Sequence, residues 1–199
     1  MSADATFDGP GLLVVLSGPS GVGKNTVVDR LVERSSWTRL VTATTRRPRP
    51  GERDGVDYLF ISPEEFQSRI EDGFFLEHTE TYGDLYGSPV KPVREAVARG
   101  EVIILVIDVK GGERLRELGI EACYIFIAPP DTDSLISRLE RRATEDEARR
   151  DARVERAKAE LDAAKTYDHV VVNRENDIDS AVAGIEKIIE RELAGRRRF

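Results

Sequence analysis

Four short apolar runs punctuate the chain: Leu12 to Leu16, Val102 to Ile107, Cys123 to Ile127 and Val170 to Val172. Each is too short for a helix and rich in β-branched residues, which is the pattern of a strand buried on both faces. Helical stretches separate them: Thr26 to Arg34, Gly112 to Leu118, Thr132 to Arg142, and Ile178 to Leu193 at the end. In the last of these Ile178, Val182, Ile185, Ile188, Ile189 and Leu193 recur at helical spacing. The alternation predicts an α/β fold, with a parallel sheet flanked by helices and right-handed crossovers. Two stretches break it. Residues 42–98 are rich in turns and 133–167 read as an almost wholly charged helix, so both are expected to be insertions over the sheet's C-terminal edge, where ligands of such folds bind. The core is then assigned to residues 1–41, 99–132 and 168–199.

Between the first apolar run and its helix lies Gly18-Pro19-Ser20-Gly21-Val22-Gly23-Lys24-Asn25-Thr26. Strand, glycine-dense turn and helix make a phosphate-binding loop, in which backbone N–H groups turn inward and a lysine supplies a point charge. Gly18, Gly23 and Lys24 satisfy G-x-x-x-x-G-K, but Asn25 stands where serine or threonine normally offers magnesium a hydroxyl. Thr26 does not simply replace it, because neighbouring helical residues point about 100° apart. The plainer reading is a glycine-rich turn; a lysine at this offset between strand and helix weighs against it.

A length of 199 residues suits one domain. A composition 40% hydrophobic and 34% charged describes a soluble globular protein, and a net charge of −7 argues against general nucleic-acid binding. Anionic ligands must then be met by local arginine clusters. The single cysteine, Cys123, excludes an internal disulfide and fits a buried core position in a reducing compartment. With no signal-peptide pattern in residues 1–10 and no apolar run near the roughly 20 residues of a membrane span, a cytoplasmic protein that engages no membrane is expected.

One such cluster follows Thr42: Thr44-Thr45-Arg46-Arg47-Pro48-Arg49-Pro50-Gly51-Glu52. The prolines forbid a helix, so Arg46, Arg47 and Arg49 are expected on an extended loop, where paired guanidinium forks can clamp a monophosphate. A solvated basic loop is the commoner role of such a sequence. Yet a phosphate-binding loop followed by T-T-R-x-P-R-x-G-E resembles guanylate kinase, and the resemblance runs from about Leu12 to Leu193. It implies the P-loop nucleoside-monophosphate kinase fold, with 42–98 binding GMP and 133–167 forming a helical lid. It places ATP on Gly18 to Thr26 and the GMP phosphate on Arg46, Arg49, Tyr58 and Tyr86 with Gly87. The guanine readers it implies are Thr42, Glu77, Ser88 and Asp108. These roles also make chemical sense: guanine presents N1–H beside an exocyclic amine, so Glu77 can accept both and Asp108 can accept from the amine. Adenine lacks that donor pair and would leave a buried carboxylate unpaired. Singly, Glu77 reads equally as an exposed loop acid, and Tyr58 and Tyr86 as half-buried packing.

Asp108, ending the second long apolar run, can serve magnesium or substrate. Relatives of this pattern carry acid-x-acid there, whereas Val106 occupies the first position. Together with Asn25 this implies that Mg2+ is held by the phosphates of ATP and by waters, with no direct protein ligand assigned; reduced activity is the alternative. In the charged helix the resemblance implies that Arg138, Arg142 and Arg153 close over the nucleotides, while Arg141 and Ala143 replace usual glycines. A solvated face of i,i+4 ion pairs explains much of the same stretch. His78, His169 and Lys110 are read as structural or exposed, Asn173 as near adenine or capping a turn, and Arg196-Arg197-Arg198 as a frayed tail. The resulting expectation is an enzyme that moves the γ-phosphoryl of ATP to GMP, with Lys24, Arg46 and the lid arginines as catalytic cations. Its rivals are another small-molecule kinase on this fold and a silent guanylate-kinase-like binding module, and oligomeric state is left open.

Overall fold

The computed structural model describes residues 6–81, 83–142, 155 and 158–196, with the backbone alone at 138–142. In chain order the elements are β1 (Leu12–Ser17), α1 (Lys24–Arg34), β2 (Thr38–Arg39), β3 (Ala43–Thr44), β4 (Leu59–Phe60), α2 (Pro63–Glu71), β5 (Phe75–Thr81), β6 (Asp84–Pro89) and α3 (Val90–Ala98). They continue with β7 (Val102–Val106), α4 (Val109–Glu117), β8 (Cys123–Ala128), α5 (Thr132–Arg142), β9 (His169–Val172) and α6 (Ile178–Arg196). Residues 158–162 are also helical and run into a 3-10 turn at Ala163–Thr166.

Five strands form a parallel sheet in the order β2-β7-β1-β8-β9. Because side chains alternate across a strand, each central strand feeds two cores. Leu12, Val14 and Leu16 of β1 join Val102, Ile104, Cys123, Ile125 and Ile127 in one, closed by Val27, Val28 and Leu31 of α1 and Val182, Ile185 and Ile189 of α6. Leu13 and Val15 join Ile103, Leu105, Tyr124 and Phe126 in the other, under Val93 and Val97 of α3 and Leu115 of α4. All four expected strands form, but β9 at the edge is half-buried and Val170 is 51% exposed, so burial on both faces fails there. The two-residue β2 adds a fifth strand too short for a periodic signal.

The larger departure lies in 42–98. Instead of turns alone, this stretch builds a second sheet in the order β4-β3-β6-β5, together with α2 and α3. The signal for α2 was present in Ser62-Pro63-Glu64-Glu65: the Ser62 hydroxyl accepts from the Glu65 N–H at 3.1 Å, with proline in the first turn. α4 starts three residues ahead of the expected Gly112, because Asp108 caps it by accepting from Gly111 N–H at 2.9 Å. Arg196 is not frayed: it ends α6 and donates to Glu121 at 2.7 Å and to the Gly11 carbonyl at 3.4 Å. Arg197 and Arg198 lie outside the described residues.

Candidate active site

The loop after β1 turns on Gly18, Gly21 and Gly23, all at positive φ (147°, 81° and 97°). A Cβ at Gly18 would collide with the Ile127 carbonyl, and one at Gly23 would lie 2.7 Å from Asn173 Nδ2, so neither position tolerates a side chain. Asn173 braces this loop, donating Nδ2–H to the Val22 carbonyl at 2.8 Å, a third role beside the two expected for it. Pro19 and Val22 are buried, whereas Ser20, Asn25 and Thr26 are exposed at the mouth. Lys24 Nζ folds back on the loop, donating to the Gly18 and Pro19 carbonyls at 2.5 and 3.1 Å.

The second sheet gathers most of the remaining expected residues on one face. Glu77 pairs with Ser88, Thr79 and Thr44 both pair with Tyr86, and Phe60 pairs with Thr44. Paired residues share a face and alternate residues return to it, so Thr42, Tyr58, Tyr86, Ser88, Glu77 and Thr81 belong to the same side. Gly87 belongs to the other. A Cβ there would point into the stacked rings of Phe75 and Phe66, at 2.7 and 2.9 Å, so this glycine serves packing against α2.

Arg46 is not displayed as the prolines suggested. It lies over the rings of Tyr58 and Phe60 (5.4 and 5.8 Å), donates to Glu52 at 2.9 Å and to the Arg47 carbonyl at 2.7 Å. The hydrogen bond to Glu52 holds the Arg46 pKa above its ordinary value and, reciprocally, the Glu52 carboxyl below its own. Glu52 also accepts the Arg49 backbone N–H at 2.7 Å, shaping the loop around both arginines, while the Arg49 side chain is exposed. Tyr58 and Tyr86 meet edge-on at 6.2 Å, and burial raises the Tyr58 hydroxyl pKa.

Glu77 is 5% exposed and accepts from the Ser88 hydroxyl at 2.5 Å. Burial pushes its carboxyl up to about 7; the Ser88 hydrogen bond opposes this, and the Asp108 charge adds to it. Asp108 reaches the same region from the core sheet, its Oδ2 accepting from the Thr81 hydroxyl at 3.0 Å. The arrangement is thus a cation over the rings of Tyr58 and Phe60, on the sheet face that also bears Glu77, with Asp108 nearby and a phosphate-binding loop on the adjoining core.

Sequence and fold comparisons agree with this geometry. The family model described as guanylate kinase matches residues 11–192. The chain belongs to the guanylate kinase family. It is 46% identical to the guanylate kinase of Corynebacterium diphtheriae, over 94% of this chain and 96% of that one. It is 44% identical to that of Latilactobacillus sakei, over 92% and 90%. The crystal structure of the guanylate kinase from Anaplasma phagocytophilum superposes with a TM-score of 0.77 at 33% identity, covering 94% of this chain and 89% of that one.

Guanylate kinase membership leaves several positions to be placed by this structure alone. Asn25 Oδ1 accepts from Arg39 at 3.3 Å, and Arg39 also pairs with Asp29 at 3.1 Å. Arg39 was missed because a lone arginine in a two-residue strand carries no motif. Glu52 and Thr81 were likewise missed; each acts on another side chain across a fold of the backbone. Arg138 and Arg142 fall within α5, where only the backbone is described, and Arg153, with Ala143, lies outside the described residues. A cleft of about 570 Å3 opens between Val109, Lys110 and Glu113 of α4 and the 158–166 segment. From its wall Glu160 accepts the Ser20 N–H of the phosphate-binding loop at 3.3 Å. Lys110 and His78 are exposed, His169 is half-buried beside Glu192 at 3.3 Å, and burial pushes the Cys123 thiol up to about 12. Among the described residues no helix is long and apolar enough to cross a membrane.

Proposed function

We propose that this guanylate kinase family protein transfers the γ-phosphoryl of ATP to GMP, giving ADP and GDP. The observation that carries the reading is Glu77: a carboxylate 5% exposed, with Asp108 nearby, on the sheet face that also holds Arg46, Tyr58 and Tyr86. Two acceptors suit guanine's N1–H and amine, and the cation end suits the monophosphate. In this reading residues 42–98 bind GMP, 133–167 act as lid, and the remaining segments form the core. Thr42 and Ser88 complete the base pocket, and Arg49, Tyr58, Tyr86 and the Gly87 backbone complete the phosphate site.

For transfer, a GMP phosphate oxygen forms a bond to the γ-phosphorus as the bond from that phosphorus to the β,γ-bridging oxygen breaks, and ADP leaves with that oxygen and its electron pair. The protein's work is positioning and charge. The loop from Gly18 to Thr26 cradles the ATP phosphates, Lys24 exchanges its two loop carbonyls for phosphate oxygens, and Arg46, Arg138, Arg142 and Arg153 balance the migrating charge. Mg2+ bound to ATP would neutralise phosphate charge. The donors at the usual protein position do not fit the ion: Asn25 turns its carbonyl oxygen to Arg39, and Val106 offers no ligand. The ion is therefore assigned to the nucleotide and its waters. ATP and GMP as substrates, and the free thiol of Cys123, support a cytoplasmic location. A coupled ADP-release assay with GMP, AMP, UMP and CMP tests the whole reading. Turnover with GMP alone is expected; equal use of AMP would replace it with another kinase, and no turnover with any acceptor would leave a binding module.

A further inference from the structure

We propose that Thr81 is a specificity-determining positioning residue: its hydroxyl aims the Asp108 carboxylate at the 2-amino group of the purine, and so sets discrimination between GMP and IMP. The inference rests on the assignment of Asp108 to the acceptor base. Asp108 belongs to the core, at the N-cap of α4, while Thr81 closes β5 of the second sheet; the bond between Thr81 Oγ1 and Asp108 Oδ2, at 3.0 Å, spans the two sheets. The other carboxylate oxygen is fixed by the Gly111 N–H at 2.9 Å. These two donors set the plane of the carboxylate, whose oxygens offer about four lone-pair sites to N–H and O–H donors.

Glu77 is treated in the same way. Its Oε1 is held by the Ser88 hydroxyl, from the strand that pairs with β5. Glu77 and Thr81 stand four residues apart on β5 in unbroken register with β6, so they share a face, and the strand that presents one acceptor carries the hydroxyl that aims the second. Two converging carboxylates repel, and without a fixed donor Asp108 would relax away from Glu77 and from the amine position. In this proposal Thr81 acts through Asp108 and is assigned no contact with the base.

IMP is GMP without the 2-amino group, so it isolates the contact in question. The test measures equilibrium binding of both nucleotides to the full chain, with kcat and KM for GMP alongside. Thr81→Val keeps the shape and removes the donor. It is expected to weaken GMP binding about tenfold, through KM with kcat at saturation little changed, and to lower the GMP-to-IMP affinity ratio by the same factor. Thr81→Ser is expected to restore the ratio. Asp108→Asn separates the two layers of the argument. If Asp108→Asn collapses the ratio while Thr81→Val leaves it intact, or if Thr81→Val weakens GMP and IMP equally, Thr81 is merely structural and the inference is overturned. If Asp108→Asn itself leaves the ratio intact, the assignment of Asp108 to the amine falls, and the inference with it.

Discussion

Glu77 is where the proposed recognition of guanine meets pH. Its carboxyl is raised to about 7 by burial, with the Asp108 charge adding and the Ser88 hydroxyl opposing. A raised acid favours the fold only while protonated. Its contribution is full below the unfolded pKa near 4.5 and is lost as pH rises through about 7. On the proposed assignment of Glu77 to guanine, the base's N–H donors need the carboxylate, so GMP binding near neutrality is expected to expel a proton and affinity to rise from pH 6 to pH 8. Calorimetry in two buffers of different ionisation enthalpy would read this directly. Because the GMP phosphate itself titrates near pH 6, by analogy with phosphorylated side chains of pKa about 6, Glu77→Gln supplies the baseline. Equal proton release by wild type and Glu77→Gln would show that Glu77 is already ionised in the empty site.

At the scale of elements, β6 illustrates how alternation divides labour between neighbours. Tyr86 and Ser88 face the site, while Gly87 faces the stacked rings of Phe66 and Phe75. Gly87→Ala should therefore destabilise the protein by about 1–3 kcal/mol through overpacking, visible as a lower denaturation midpoint. A stability equal to wild type would mean that the rings withdraw freely. The segment 158–166 offers a second case. Glu160 accepts the Ser20 N–H, which in the proposed ATP site faces nucleotide phosphate, so ATP is expected to displace it. Glu160→Ala is expected to tighten ATP binding several-fold in a nucleotide titration, by roughly the 0.5–1.5 kcal/mol of a single net hydrogen bond. Weaker ATP binding in that variant would instead make Glu160 a ligand of the bound state.

At the scale of the whole molecule, the proposed donor and acceptor sites stand on different sheets. The phosphate-binding loop follows β1 of the parallel sheet, whereas Arg46, Tyr58 and Glu77 belong to the second sheet. Transfer requires the two phosphates to meet in a water-free, positively charged space, so both nucleotides together should draw the second sheet and the proposed lid, 133–167, toward the core. Small-angle scattering with GMP and a non-hydrolysable ATP analogue is expected to show a smaller radius of gyration than either nucleotide alone. An unchanged radius would mean that the empty protein is already closed.

The sequence alone determined the features carried by local pattern. The central strands of the parallel sheet were legible because each run is continuously apolar, and the phosphate-binding loop because its glycines, lysine, strand and helix are contiguous. The family was legible because its motifs keep fixed spacing. The tertiary structure decided what depends on contact between distant residues. The second sheet was illegible because two of its strands are two residues long and hold their register by pairing across the chain. Arg46 looked displayed because prolines describe the backbone, whereas Glu52 and the rings of Tyr58 and Phe60 decide where its guanidinium lies. The same holds for Asn25 against Arg39, Asp108 against Thr81, and Glu160 against Ser20. Periodicity records which face of an element avoids water, but a side chain's hydrogen-bond partner depends on how elements far apart in sequence pack, and folding alone brings them together.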